Sequence, residues 1–294
     1  MSAASPAVSP SEWRARGDTF EWRGERIFFR AEGTGEPVLL VHGFPTASWD
    51  WWPIWPRLAE RYRVLTLDMI GFGFSAKPRR FPYSIFAQAD LVGALLARER
   101  VTAYRLVAHD YGVTVAQELL ARQTQEAAAP RITSVCLLNG GLFPEAHHPL
   151  VTQKLLATPL GPLLARLGGY RAFTASMRRI WGTHPVTDDE LRALWSLIAA
   201  NDGAAVLPRL IGYLRERRAH RDRWVGALVT AAAPRRFIDG LADPISGADM
   251  VARYRELVPA PDVVELPGVG HYPQLEAPDD VAAAILEHFG RPAS

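Results

Sequence analysis

The stretch Leu106-Val-Ala-His-Asp-Tyr-Gly-Val-Thr-Val-Ala-Gln-Glu118 passes from an apolar strand pattern to a helical one through a single acidic residue, Asp110. Ala108 and Gly112 stand two residues before and two after it. A sharp strand-to-helix turn demands small flanks, because its central residue is strained and the two backbones approach closely. Such a turn lifts the central side chain above the edge of a sheet. A carboxylate in that place attacks an electrophilic carbon directly and leaves an ester that water must later break.

Outward from this turn, strand and helix patterns alternate. Thr19–Trp22 and Arg26–Arg30 form a leading hairpin joined at Gly24, and Pro37–Val41 is a short apolar run ending in His42-Gly43. A Trp-rich helical stretch, 49–60, precedes the strand Arg63–Asp68. Ser84–Arg98 has helical periodicity, Tyr104–His109 is a strand, Thr114–Arg122 a helix and Ile132–Asn139 the next strand. This alternation predicts an α/β fold with a mostly parallel sheet covered by helices on both faces. From Leu142 to about Thr230 the pattern is helical throughout. The alternation resumes with the strand 234–240, a helix at 248–257, the strand 262–266 and a closing helix at 279–289. A sheet that pauses and then continues implies a helical cap, residues 143–230, inserted between core segments 1–142 and 231–294.

Two further segments follow in a set order. Gly240-Leu-Ala-Asp243 lies just past one strand, and Gly268-Val-Gly-His271-Tyr-Pro273 just past the next. Nucleophile, acid, histidine is the chain order of α/β-hydrolases. His271 is placed to act as general base on a water, with Asp243 fixing its tautomer. The oxyanion formed when water attacks an ester needs two preorganised donors. The backbone N–H groups of Phe44, in His42-Gly-Phe-Pro45, and of Tyr111 are the candidates.

The pattern resembles the α/β-hydrolase superfamily, in the branch with Asp nucleophiles that contains epoxide hydrolases and haloalkane dehalogenases. Within it, the chain is similar to the group of the mesoderm-specific transcript protein and its bacterial relatives. The likeness rests on His109-Asp-Tyr-Gly112, Ala116-Gln-Glu-Leu-Leu120, Asn139-Gly-Gly-Leu-Phe-Pro-Glu145, Gln153-Lys-Leu-Leu156, Asn201-Asp-Gly203, Arg223-Trp-Val-Gly-Ala-Leu228 and His271-Tyr-Pro-Gln-Leu-Glu276, and runs from about Gly35 to Phe289. It implies a cofactor-free hydrolase with no metal, acting on a small, mainly apolar organic substrate with water. Dehalogenases of this branch hold the departing halide with a Trp after the nucleophile and an Asn in the oxyanion loop; here those places are Tyr111 and Phe44. Epoxide hydrolases have His-Gly-Phe-Pro and use cap tyrosines to protonate the epoxide oxygen. Tyr213, and after it Tyr170, are the candidates, and epoxide hydrolysis is the leading expectation. Haloalkane dehalogenation, with Trp181 or Trp195 as a substitute halide donor, is one alternative; a non-catalytic ligand-binding protein on the same fold is another.

Composition supports this picture. The 294 residues are long enough to bury a full core, and 48% hydrophobic with 22% charged residues suits a soluble globular chain. A balance of 33 basic to 31 acidic residues gives no field that argues for a nucleic-acid partner. Cys136, the only cysteine, permits no intramolecular disulfide and reads as an inert thiol in a buried strand. Met1–Pro10 lacks the charged and apolar regions of a signal peptide and reads as a disordered tail. The longest apolar runs, 91–97 and 225–233, are too short to span a bilayer, so a cytoplasmic location is expected. The run 215–223, rich in arginine, reads as a solvated helix face. His147 and His148 read as loop residues, and Gly71-Phe-Gly-Phe-Ser75 as a stretch packed near the oxyanion loop.

Overall fold

In the strands, residues one apart go to opposite faces, and the two hydrophobic clusters of the molecule sort by that period. Leu39, Val41, Leu106 and Ala108 join one cluster, while Val38, Leu40, Val107 and Cys136 join the other. The computed structural model describes residues 7–126, 129–183 and 185–291. Its sheet has eight strands: β1 (Asp18–Trp22), β2 (Glu25–Glu32), β3 (Pro37–Val41), β4 (Arg63–Leu67), β5 (Ala103–His109), β6 (Arg131–Leu138), β7 (Arg235–Gly240) and β8 (Asp262–Leu266). They lie in the order β1-β2-β4-β3-β5-β6-β7-β8. The pairs β1–β2 and β2–β4 are antiparallel and the rest parallel. The chain is therefore an α/β-hydrolase fold, with β5 near the middle and buried on both sides.

Helices cover both faces. Ile85–Arg98 and Tyr111–Gln125 pack on the first cluster, the former capped by Ser84, whose side chain accepts from the Ala87 N–H. Trp13, Trp49, Trp55 and the closing helix Pro278–Gly290 fill the second. The tail reading needs correction. Residues 1–6 lie outside the described residues, but Ser9 caps a helix, Pro10–Ala15, and Trp13 is buried with its indole N–H donating to Ser48 Oγ at 3.1 Å. Burial of one large aromatic ring outweighs the polar, Pro-rich composition around it.

Between β6 and β7 every α-helix belongs to the insert, including Val151–Leu156, Gly161–Ile180, Asp188–Ala199, Tyr213–Ala219 and Arg221–Thr230, with no strand among the described residues there. These helices do not build a core of their own. Met177, Ile180, Leu191 and Leu194 extend the second cluster, and Leu210, Tyr213 and Trp224 extend the first. The insert thus sits over the carboxyl ends of the parallel strands, where ligands of such sheets bind. Among the described residues, no helix is long and apolar enough to cross a membrane.

Candidate active site

Asp110 closes β5 with φ 46° and ψ −106°, a left-handed strain for a non-glycine residue, and the helix Tyr111–Gln125 starts immediately after it. The strain is held from both sides. The Asp110 N–H donates to the Asn139 carbonyl at 2.8 Å, and a Cβ on Gly112 would lie 2.4 Å from the Val41 carbonyl oxygen. Glycine is required there for the helix to approach β3 so closely. Gly43 plays the same part across the site, since a Cβ on it would meet Asp110 Cβ at 2.8 Å.

The structure brings Asp110, Asp243 and His271 together. His271 Nδ1 donates to Asp243 Oδ2 at 2.7 Å, which leaves Nε2 facing Asp110 Oδ1 at 3.7 Å, beyond direct hydrogen bonding. All three side chains are buried. Burial alone would push the Asp243 carboxyl up. His271, the Ile245 and Ser246 N–H groups and the Ser246 hydroxyl reverse that and hold it below the ordinary aspartate value. Burial would also push the His271 imidazole down, but the Asp243 and Asp110 carboxylates raise it to about 9. The two carboxylates thus favour the cationic form of the His271 imidazole.

Of the two oxyanion donors, the Phe44 N–H already donates to Asp110 Oδ2 at 2.8 Å. The Tyr111 N–H is the first of its helix, a group with no intrahelical partner. Phe72, from the glycine-punctuated stretch, packs against His42, Phe44 and Tyr111 with ring centroids 5.1, 6.3 and 5.5 Å away. His42 itself is structural: its Nδ1–H donates to the Gly43 carbonyl and its Nε2 accepts from the Met69 N–H.

Of the three predicted substrate-binding residues, one reaches this centre. Tyr213 is buried with its ring 5.0 Å from Tyr111 and 6.0 Å from Phe44, and its hydroxyl has no hydrogen-bond partner among the described residues. Burial, and then the charge of Asp110, raise that hydroxyl far above the ordinary tyrosine value. Tyr170 packs instead on Trp195 at 6.0 Å, and Trp181 stacks on Tyr272 at 5.5 Å. None of the three lines the cavity of about 400 Å³ that leads to His271 and Phe44; Trp195 does, with Phe173, Met177 and Ile180.

The reading of 215–223 as a solvated face does not hold. Arg217 is buried, its Nε donating to Thr114 Oγ1 at 2.7 Å and its Nη2 to the Asp110 carbonyl at 3.0 Å, with its guanidinium 4.5 Å from the Tyr213 ring centroid. Arg223 and the Trp224 indole N–H bind the buried Glu118 carboxylate, and Arg221 binds Glu145. His147 is likewise buried, and burial, then the positive charge of Arg217, lower its imidazole well below the ordinary value. Helical periodicity could not reveal this, because the partners lie about 100 residues upstream. Glu276 was also without a role in sequence. Its carboxylate accepts from the N–H groups of Gly182, Gly270 and Tyr272, tying the histidine loop to the insert. Asn139 grips Asp243 Oδ2 at 3.2 Å and both backbone groups of Gly240. Among the described residues, no cluster of His, Cys, Asp or Glu is arranged to hold a metal ion. The Cys136 thiol is buried in β6 and raised by that burial.

Comparison with known proteins places these features. A model of the alpha/beta hydrolase family matches residues 38–284. The chain is 43% identical to the mesoderm-specific transcript protein of Mus musculus, over 93% of this chain and 86% of that one. It is 28% identical to haloalkane dehalogenase 2 of Mycobacterium tuberculosis over 97% of each chain. The solved structure of the epoxide hydrolase CorEH superposes with a TM-score of 0.75 at 18% identity, covering 93% of this chain and 98% of that one, and so shares the fold.

Proposed function

The chain belongs to the alpha/beta hydrolase family, and on that premise we propose that it is a hydrolase working through a covalent ester on Asp110, with an epoxide as substrate. The insert 143–230 acts as a cap over a core of 1–142 and 231–294. The observation that carries the reading is the Tyr213 hydroxyl, buried with its ring against Tyr111 and Phe44, within electrostatic reach of Asp110 and with no hydrogen-bond partner among the described residues. A group of that kind is costly unless a ligand uses it. Asp110 Oδ1 attacks an epoxide carbon, the ring C–O bond breaks, and Tyr213 gives its proton to the departing ring oxygen. Alkylation removes the negative charge that helped raise His271, so the imidazolium gives up its proton, which by way of solvent restores the Tyr213 hydroxyl, and a neutral base is left for the next step. Water then loses a proton to His271 Nε2 and attacks Cγ of the ester. Charge develops on Oδ2, where the Phe44 N–H already donates and the Tyr111 N–H stands ready. Collapse expels the diol oxygen, which takes the proton from His271, and the Asp110 carboxyl then gives up the remaining water proton to the imidazole, restoring the starting pair. The apolar cavity suits a small, mainly apolar substrate and water, and no cofactor enters any step.

The same first step would serve a haloalkane dehalogenase, but the side chains at Tyr111 and Phe44 are not indole and amide. Purified protein challenged with epoxides, haloalkanes and activated esters separates these readings. Asp110→Asn is expected to abolish turnover, and His271→Gln to accumulate an adduct whose added mass equals the intact epoxide. Halide release without epoxide opening would assign the dehalogenase, and tight binding with neither adduct nor turnover would assign a ligand-binding role. An Asp110→Asn enzyme of unchanged rate would sink the ester mechanism.

A further inference from the structure

Every exposed large hydrophobic side chain among the described residues falls in one short stretch of the insert: Val151 at 61% exposed, Leu155 at 46%, Leu160 at 64%, Leu163 at 56% and Leu167 at 75%. They stand on the helix Val151–Leu156 and the first two turns of Gly161–Ile180, with Leu160 at the junction. Scattered surface leucines need no explanation, but five in one patch mark a contact site. Leu155 and Leu167 also line the cavity that ends on His271, so the apolar surface and the apolar interior are continuous.

Charge identifies the occupant. From Ala146 to Thr187 the sequence has five cationic residues, Lys154, Arg166, Arg171, Arg178 and Arg179, and not one carboxylate. Lys154, Arg166 and Arg171 are exposed, on the same helices as the leucines. Leucine and cation side by side on a surface helix is the composition of a segment that lies in the headgroup region of a bilayer. A twofold pairing of this patch with a second copy of the chain would set those like charges against each other.

We propose that the stretch Val151–Arg171 docks the protein on an anionic lipid surface. The leucines enter the acyl boundary and the cations meet lipid phosphates. The mouth of the cavity then opens into the lipid phase, and an apolar substrate reaches His271 without crossing water. The docking does not depend on the chemistry at Asp110; only the delivery of substrate rests on that reading.

The test is flotation of the full chain with vesicles of phosphatidylcholine alone and with about a third phosphatidylglycerol. Binding is expected with the anionic vesicles and to weaken as salt rises. Leu160→Glu with Leu163→Glu should reduce it at least about tenfold, and Lys154→Ala with Arg166→Ala and Arg171→Ala should remove the preference for phosphatidylglycerol. These positions are exposed, and circular dichroism and thermal unfolding confirm that the variants fold. Absence of wild-type binding to either vesicle overturns the proposal, even if an ester forms on Asp110. So does binding that the leucine variants leave unchanged, or a concentration-dependent dimer, without vesicle binding, that those variants dissociate.

Discussion

Two parts of the same insert meet the rest of the molecule in opposite ways. Leu210–Leu228 is fixed to the core by charge and burial: Arg217 holds the Asp110 carbonyl and Thr114, Arg223 and Trp224 hold Glu118, and Leu210 and Leu228 are buried. Val151–Leu167 has no such tie. No ion pair joins its cations to the core among the described residues, and Val151, Leu155, Leu160, Leu163 and Leu167 are exposed. The difference shows that the insert is not uniform. One half is an extension of the sheet core that brings Tyr213 toward Asp110, while the other walls the cavity and leaves an apolar surface uncovered.

The largest effect should come from cutting the fixed half at its innermost point. Arg217→Ala leaves the Asp110 carbonyl with only the Val113 N–H at 3.2 Å, takes the guanidinium donor from Thr114 Oγ1 and removes the cation at the Tyr213 ring. Loss of buried hydrogen bonds and a desolvated cation–π contact should cost about 3 kcal/mol of stability. Displacement of the nucleophile by a fraction of an ångström should cut kcat about a hundredfold, with a smaller change in KM. Arg217→Lys restores charge but not the two-armed geometry, so it should rescue stability more than kcat. Steady-state kinetics beside thermal unfolding reads both, and an Arg217→Ala enzyme that loses stability but keeps kcat would reduce this residue to packing.

A smaller loss is expected at Glu118. Its carboxyl is buried, yet hydrogen bonds from Arg223, Arg122 and the Trp224 indole hold it below the ordinary glutamate value of 4.5. Glu118→Gln keeps the shape and removes the charge. With both arginines partly in solvent, the loss should be about 2 kcal/mol at neutral pH. The sign of the pH dependence follows from the lowered value. The unfolded carboxyl takes up a proton more readily, so this stabilisation is full above pH 4.5 and is lost as pH falls through the folded value. Wild type and Glu118→Gln should therefore differ in melting temperature at pH 7 and converge as the pH falls below 4.5 and through the folded value. A gap that stays constant with pH would mean that packing, not charge, holds the two elements together.

What could be read in the sequence follows the same division. The strand alternation, the turn at Asp110 and the order Asp110, Asp243, His271 were legible because each rests on local signals: period-two burial, small flanks and short loops past strand ends. Phe44 and Tyr213 were legible through their place relative to those motifs. Arg217 and Glu118 were not, because a charge-rich helix has the same local pattern whether its partners are water or a buried carboxylate far along the chain. Tyr170 and Trp181 failed as pocket residues for a related reason. Sequence placed them in the cap but could not orient their rings, and both pack on other aromatics, Trp195 and Tyr272.

The smallest effect should come from the loose half, and its smallness is what sharpens the contrast. Leu163→Ala removes the same atoms as any leucine-to-alanine change, which in a filled core costs about 2–5 kcal/mol through lost transfer energy and the cavity left behind. At Leu163 neither term applies, because the side chain is 56% exposed and no cavity forms. The melting temperature should match wild type to within the equivalent of about 0.5 kcal/mol. If instead Leu163→Ala costs as much as a core truncation, then something covers this face even in the isolated protein. The comparison between a fixed half and a loose half would then fail, since both would be held, one by the core and the other by a contact within or between chains.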